Sequence, residues 1–237
     1  MDIEEIKTIQ QSSVVILGNF NPAILHPEWL DRNQVLPPTE VRDVAESKEG
    51  EIKSLEGLKI KFIASNVLVS GSETRLSLPS YRINVTPDKF ETTTAIKDKF
   101  EELCSFVAKT FKILEHTPVT ALGINFISSL KFSESAKDLM HRYFCAKPNV
   151  MPSIFSDPYF IDTTIKYQYN DARVTLILKT DDEKDKIGIN INYNKDFPEN
   201  DGLIVLIEYL LKNFRPMMLD ADKVIRSLFG EPIDGGS

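Results

Sequence analysis

Residues 119–132 read VTALGINFISSLKF, and residues 187–194 read IGININYN. Both alternate apolar residues with small or polar ones at period two, which fits a strand and not a helix. In the first, Leu122, Ile124, Phe126, Leu130 and Phe132 share one face; Ala121, Gly123, Asn125 and Ser129 share the other. Such segments commit the chain to antiparallel sheet with one packed face and one lightly packed face. The two stretches use nearly the same words 65 positions apart, and YRINVTPDKF at 81–90 is a looser echo.

The flanking sequence supplies the remaining elements. Residues 2–11 read as a short helix, 12–20 as a strand, and the proline-rich 21–38 as irregular with one short turn of helix. The charged stretch 40–57 reads as a surface helix followed by a loop, and 58–71 as a strand. Residues 74–86 read as one strand whose alternation changes phase at Pro79–Ser80, the mark of a β-bulge. Ile96, Phe100, Leu103, Val107, Phe111 and Leu114 step at helical spacing, which predicts a helix over 93–114. A second helix is predicted over 133–144, capped by Ser133.

After a proline-bearing loop, Ile165/Tyr167/Tyr169, Val174/Leu176/Leu178 and Ile187/Ile189/Ile191/Tyr193 alternate in three successive strands, with a tight turn at Asn170–Asp171. Residues 200–214 form a helix apolar almost all round, predicted to be deeply buried and stopped by Pro216. Asp220 caps a last helix that ends at Gly230.

INVTPDKF precedes the helix at 93–114, and ININYNKDF precedes the helix at 201–214. The fold class is therefore α+β, with two antiparallel β-meander halves each covered by a long helix, a candidate pseudo-duplication. The halves are 1–132 and 133–230, read as one compact unit, with 231–237 a frayed tail.

The 237 residues, 42% hydrophobic, can bury about 70–75% of the unfolded surface, so no disulfide or metal is needed to hold a core. Cys104 and Cys145 are too few for a secreted scaffold, and the acidic start MDIEEIKTIQQ lacks the form of a signal peptide. The expectation is a cytoplasmic protein with free thiols. LIVLIEYLL at 203–211 contains Glu208 and is too short to span a bilayer, so no membrane association is expected. A net charge of −7 opposes general nucleic-acid binding, which requires clustered Lys and Arg.

Four residues stand out as candidate ligand contacts: Asn84, Asn125, Asn190 and Asn192 each lie in a predicted strand, where Asn is disfavoured, and Asn194 extends the row. A shared face would make a polar platform able to grip a peptide, nucleotide or base edge, the competing reading being an ordinary solvated face. In FNPAILHPEWL, His26, Glu28 and Trp29 form a candidate partner contact around the single Trp, although Trp29 and Leu30 also suit a loop pinned to the core.

Other chemistry finds less support. Cys104, His116, His141 and Cys145 fit no compact zinc spacing, and His141, Cys145 and Lys137 read as a polar helix stripe. EIK at 51–53 with Asp43 imitates a nuclease metal element but falls in the charged loop; DDEKDK at 181–186 reads as a solvated hairpin tip. GxGxxG, phosphate-loop, GxSxG and HExxH motifs are missing, which weighs against the common nucleotide-binding and hydrolytic folds. No cofactor or metal is expected.

FNPAILHPEWL, ALGINFISSL at 121–130 and VIRSLFG at 224–230 together resemble a sporadically distributed bacterial family of uncharacterised α+β proteins. The resemblance implies a bacterial cytoplasmic protein, scattered by gene transfer among defence or mobile-element neighbourhoods, and carries over no catalytic residues. The leading expectation is a non-enzymatic binding or assembly subunit with another protein, or a second copy, as partner. The alternative is an enzyme acting on a small molecule or nucleotide at the Asn-bearing face.

Overall fold

The alternating segments become the two neighbouring strands around which one half of the fold is built. The computed structural model describes residues 3–5, 9–41, 48–53, 59–64, 66–145, 160–180, 185–198 and 202–228. In chain order the first elements are β1 (Ile3–Glu5), β2 (Gln11–Gly18), α1 (Pro27–Arg32), α2 (Pro38–Val41), β3 (Lys48–Lys53) and β4 (Lys59–Ala64). Next come β5 (Val67–Val69), β6 (Thr74–Ser77), β7 (Arg82–Thr86), β8 (Lys89–Thr94) and α3 (Phe100–Ile113). The last are β9 (Val119–Phe132), α4 (Ala136–Phe144), β10 (Asp162–Tyr169), β11 (Ala172–Thr180), β12 (Lys186–Asp196) and α5 (Gly202–Ser227).

The fold is mixed α and β around an antiparallel sheet. Strands hydrogen-bond in the order β10-β11-β12-β9-β2-β8-β7-β6-β5, with β1 paired to β9 beside that path and β3–β4 forming a separate ribbon. β12 lies on β9, and β8 lies on β2. No helix among the described residues is long and apolar enough to cross a membrane.

Two compact units emerge, and their boundaries cut through β2, β9 and α5. The first unit comprises Met1–Ser12, Gly123–Lys195 and Lys212–Ser237. Its core is the period-two face of its strands: Ile124, Phe126, Leu130, Leu178, Ile187, Ile191 and Tyr193 are buried. Phe126 packs edge-on against Tyr193 at 5.9 Å and against Phe214 of α5 at 5.5 Å. The β10–β11 turn is the expected two-residue one, with Asn170 at φ 52°, a left-handed backbone that Asn tolerates.

The second unit comprises Ser13–Leu122 and Asp196–Leu211. Phe111 of α3 receives Phe20 and Phe90 edge-on at 6.0 and 5.0 Å, and Tyr81 stacks on Phe106 at 5.6 Å. Gly18 is fixed by a close backbone approach. A Cβ there would lie 2.2 Å from the Pro118 carbonyl oxygen, to which Asn19 N–H donates at 2.9 Å.

Several expectations give way. The stretch 2–11 holds β1 and the start of β2, and 40–57 holds the end of α2 and then β3, not a surface helix. Residues 58–71 carry two strands, β4 and β5. The phase change at Pro79–Ser80 is a hairpin: Leu76 pairs with Ile83, Ser77 with Arg82, and Leu78 N–H closes the turn on Tyr81 O at 2.8 Å. The helix predicted from 93 starts at Phe100, because Phe90, Thr92 and Thr94 bury alternate positions of β8 first. Ser135, not Ser133, caps α4, accepting from Asp138 N–H at 3.3 Å.

Pro216 does not stop α5, which runs through it. Within the first unit the buried positions Phe214, Met217, Ala221 and Ile225 continue across the proline and hold that part of the helix to its core. Nor is α5 buried all round: Ile204, Val205, Leu211 and Leu219 are exposed.

Candidate functional site

In the first unit, period two sorts β12 cleanly. Ile187, Ile189, Ile191 and Tyr193 face the core, and Gly188, Asn190, Asn192 and Asn194 take the other, half-buried face. The register with β11 sets Arg173 against Asn194, Thr175 against Asn192 and Ile177 against Asn190.

The register with β9 follows from its two closing bonds. Phe132 N–H donates to Asp185 O at 2.9 Å, and Phe197 N–H donates to Thr120 O at 2.8 Å. Counting inward from either bond brings Asn125 opposite Asn192, at a position where no backbone bonds are exchanged. Side chains approach most closely at such positions. Asn192 Nδ2 accordingly donates to Asn125 Oδ1 at 2.6 Å. The side-chain oxygens of Asn190 and Asn194 are buried on the same face and have no hydrogen-bond partner.

Three of the four candidate ligand residues, Asn125, Asn190 and Asn192, therefore lie on one face of this unit. Asn84 belongs to the second unit, on β7 between Arg75 and Glu91 of the neighbouring strands, and its side-chain oxygen is likewise buried without a partner. The shared Ile-Asn wording did not reveal that separation. Amides neither ionise nor act as nucleophiles, so the face offers directed donors and acceptors: chemistry suited to holding a ligand.

The opposite face of the same strands carries a polar cluster that strand alternation alone does not reveal. Tyr193 is buried, and its hydroxyl donates to Asp220 Oδ2 on α5 at 2.6 Å. The Tyr169 ring meets the Tyr193 ring edge-on at 5.7 Å, and its hydroxyl donates to the Pro216 carbonyl at 3.5 Å. Burial and the bond to Asp220 raise the Tyr193 phenol far above its ordinary range. Burial and then the Asp220 charge raise Tyr167, against a lowering by Tyr193. Both phenols stay protonated at neutral pH, and Tyr193 acts as a donor, not a base. Asp220, expected as a helix cap, instead ties α5 to the strand.

In the second unit, His26 caps α1, its Nδ1 accepting from Trp29 N–H at 3.3 Å. Leu25 and Leu30 are buried and pin the loop, whereas Trp29 is half-buried and Glu28 exposed. The pin is thus aliphatic. The helix ends in a Schellman turn, Val35 N–H on Leu30 O and Gln34 N–H on Asp31 O, with Gln34 at φ 51° where glycine is usual. A cleft of about 480 Å³ beside it is lined by Asp31, Gln34, Val35, Leu36, Pro37, Pro38 and Lys109. Nearby, Glu40 is buried and accepts from Ser80 N–H at 2.9 Å and Ser80 Oγ at 2.5 Å.

Among the described residues, no group of three or more His, Cys, Asp or Glu is placed to hold a metal. Cys104 is buried in α3, its thiol raised by burial and then by Glu101. His116 is exposed beyond α3, while His141 is buried in α4, so the stripe of Lys137, His141 and Cys145 is not a uniformly polar face. EIK lies on β3 and not in a loop, with Glu51 paired to Lys61; Asp43 lies outside the described residues. So does most of DDEKDK, of which Asp185 and Lys186 are described. No protein-family model matches the chain, and no curated protein does.

Proposed function

We propose that the chain is a non-enzymatic binding and assembly subunit of a multi-protein system. The observation that carries this reading is the outer face of α5. In the second unit its inner face buries Leu206 and Leu210 completely, yet Ile204, Val205 and Leu211 are 65%, 43% and 48% exposed. Single exposed apolar residues are ordinary, but several along one helix stripe mark a surface that another molecule covers. The resemblance carried by FNPAILHPEWL, ALGINFISSL and VIRSLFG supports a bacterial, cytoplasmic setting and a role in defence or mobile elements. The recurrence of three consecutive strands followed by a long helix, β6–β8 with α3 and β10–β12 with α5, supports reading the two meanders as copies of one unit. The test is capture of the tagged chain from nuclease-treated native lysate. A stoichiometric protein on wild type that is lost from Ile204→Asp/Leu211→Asp is expected, and equal capture by both would defeat the reading.

A second reading makes the Asn-bearing face of the first unit a site for a small molecule or nucleotide, either held or turned over. It is favoured by the buried, unpartnered oxygens of Asn190 and Asn194 beside the Asn125–Asn192 pair. Wild-type protein would then be stabilised against heat by its ligand, and Asn190→Ala would lose that response while keeping its own melting temperature. A nucleoside and nucleotide panel that leaves wild-type melting unmoved would count against it.

A further inference from the structure

We infer that the outer edge of β10 pairs with the same edge of a second copy of this chain, antiparallel, about a twofold axis at Thr164. The interface lies wholly within the first unit and does not use the α5 surface. Residues of an antiparallel strand alternate between those that exchange backbone bonds with a neighbour and those whose N–H and C=O point the other way. Ile161 sets the phase: its carbonyl accepts from Thr180 N–H at 3.2 Å. The register then runs unbroken from Asp162 opposite Lys179 to Tyr169 opposite Ala172. Thr163, Ile165, Tyr167 and Tyr169 therefore bond to β11, while Asp162, Thr164, Lys166 and Gln168 turn their backbone groups outward. All four are exposed, and among the described residues no strand pairs with that edge.

Edges are commonly blunted by proline, a bulge or a very short strand, and β10, DTTIKYQY, has none of these over its 8 residues. Its one cation, Lys166, makes no ion pair among the described residues and selects both partner and register. Pairing centred on Lys166 would set Lys166 against Lys166, a like-charge contact that opposes association. Centring on Ile165 would set Lys166 against Thr164 and leave the two ammonium groups diagonal to each other. Centring on Thr164 sets Lys166 against Asp162 of the second copy, and Asp162 against its Lys166. Asp162 keeps Lys179 of its own copy on the other side, at 3.8 Å, with both side chains more than half exposed. The same register brings Ile165, 37% exposed, opposite Thr163 of the second copy at the closer, non-bonded type of position. Asp162, Thr164 and Lys166 then exchange about six backbone bonds with the second copy. A twofold interface requires one patch to complement itself in this way.

A contact through one strand from each copy is small, so the dimer should be modest, with Kd on the order of 100 µM. The test is sedimentation velocity on the full chain from about 10 µM to about 1 mM, a range that brackets this affinity. Wild type should move from monomer to dimer. Lys166→Asp alone and Asp162→Lys alone should each weaken the dimer at least about tenfold, because the twofold puts each substitution into both cross-strand pairs. An equimolar mixture of the two variants should dimerise at least about tenfold better than either alone, since each acid again faces a base. Thr164→Pro should abolish the dimer: its N–H points outward, so the proline costs β10 no bond to β11. These positions are exposed, and far-UV circular dichroism checks that each variant is folded. If Thr164→Pro does not fold, Lys166→Asp and the mixture still decide. Wild type that stays monomeric throughout, a Lys166→Asp variant that dimerises as well as wild type, or a mixture no better than its components would each overturn the proposal. A dimer that survives Thr164→Pro but is lost from Ile204→Asp/Leu211→Asp would overturn the edge and leave the assembly reading standing.

Discussion

Tyr193→Phe deletes one oxygen and asks how firmly α5 is tied to its sheet. The lost hydroxyl donates to Asp220 Oδ2 at 2.6 Å, within the short range of charge-assisted bonds. A bond to a charged partner contributes about 1.5–3 kcal/mol, and the carboxylate left behind loses its donor. Asp220 is only half-buried, so water can reach part of it; the expected loss is about 2 kcal/mol. For a chain of this length that lowers the melting temperature by about 4–8 °C. Urea unfolding followed by circular dichroism should show a lower midpoint with an unchanged slope, because the surface exposed on unfolding is the same. Asp220→Ala and the double variant complete a cycle in which the double loses less than the sum of the singles by about 1–2 kcal/mol. A Tyr193→Phe protein as stable as wild type, or strictly additive losses, would refute the tie.

Alkaline stability follows from the buried phenols. Burial first, then Glu102 and Glu40, raise Tyr81 to about 12, and Tyr193 and Tyr167 are raised too. Unfolded tyrosine releases its proton near pH 10, so above that pH the folded state binds more protons. The stabilisation is whole below pH 10 and is lost as pH rises beyond it; a urea midpoint flat to about pH 11 would contradict this. Gly18→Ala forces a Cβ against the Pro118 carbonyl and should cost at least about 2 kcal/mol in the same assay, whereas a neutral variant would show that the crossing can relax. Asn125→Ala and Asn192→Ala should couple by about 1 kcal/mol, and additive losses would mean that the cross-strand amide bond contributes nothing.

Where local pattern and tertiary packing agree, the sequence is readable. β9 and β12 alternate without proline, and the whole β10–β12 meander follows from period two and from Asn170 in its turn. β8 is hidden because Thr92 and Thr94 look polar yet are buried, while exposed Ile96 falls by accident on the spacing of α3. β3, KEGEIK, carries almost no apolar signal and exists through its pairing with β4. Pro216 reads as a stop because its missing N–H weakens a helix locally; packing of Phe214 and Met217 on either side overrides it.

The site is legible to a lesser degree. The row of Asn residues is visible, and Asn125 opposite Asn192 follows once β9 is known to lie on β12. That Asn84 stands in another unit depends on strand order, which no local window contains. The Tyr193–Asp220 bond joins residues far apart in sequence and of ordinary type, so only the fold reveals it.

The most direct test of the central claim is side-by-side capture of wild type and Ile204→Asp/Leu211→Asp from native lysate, read as stoichiometry of the bound protein, a second copy included. A stoichiometric protein on wild type and none on the variant, with both chains equally folded, is the expected result. Equal capture by both, or a purified wild-type chain that turns over a substrate by itself and loses that turnover on Asn190→Ala, would contradict it.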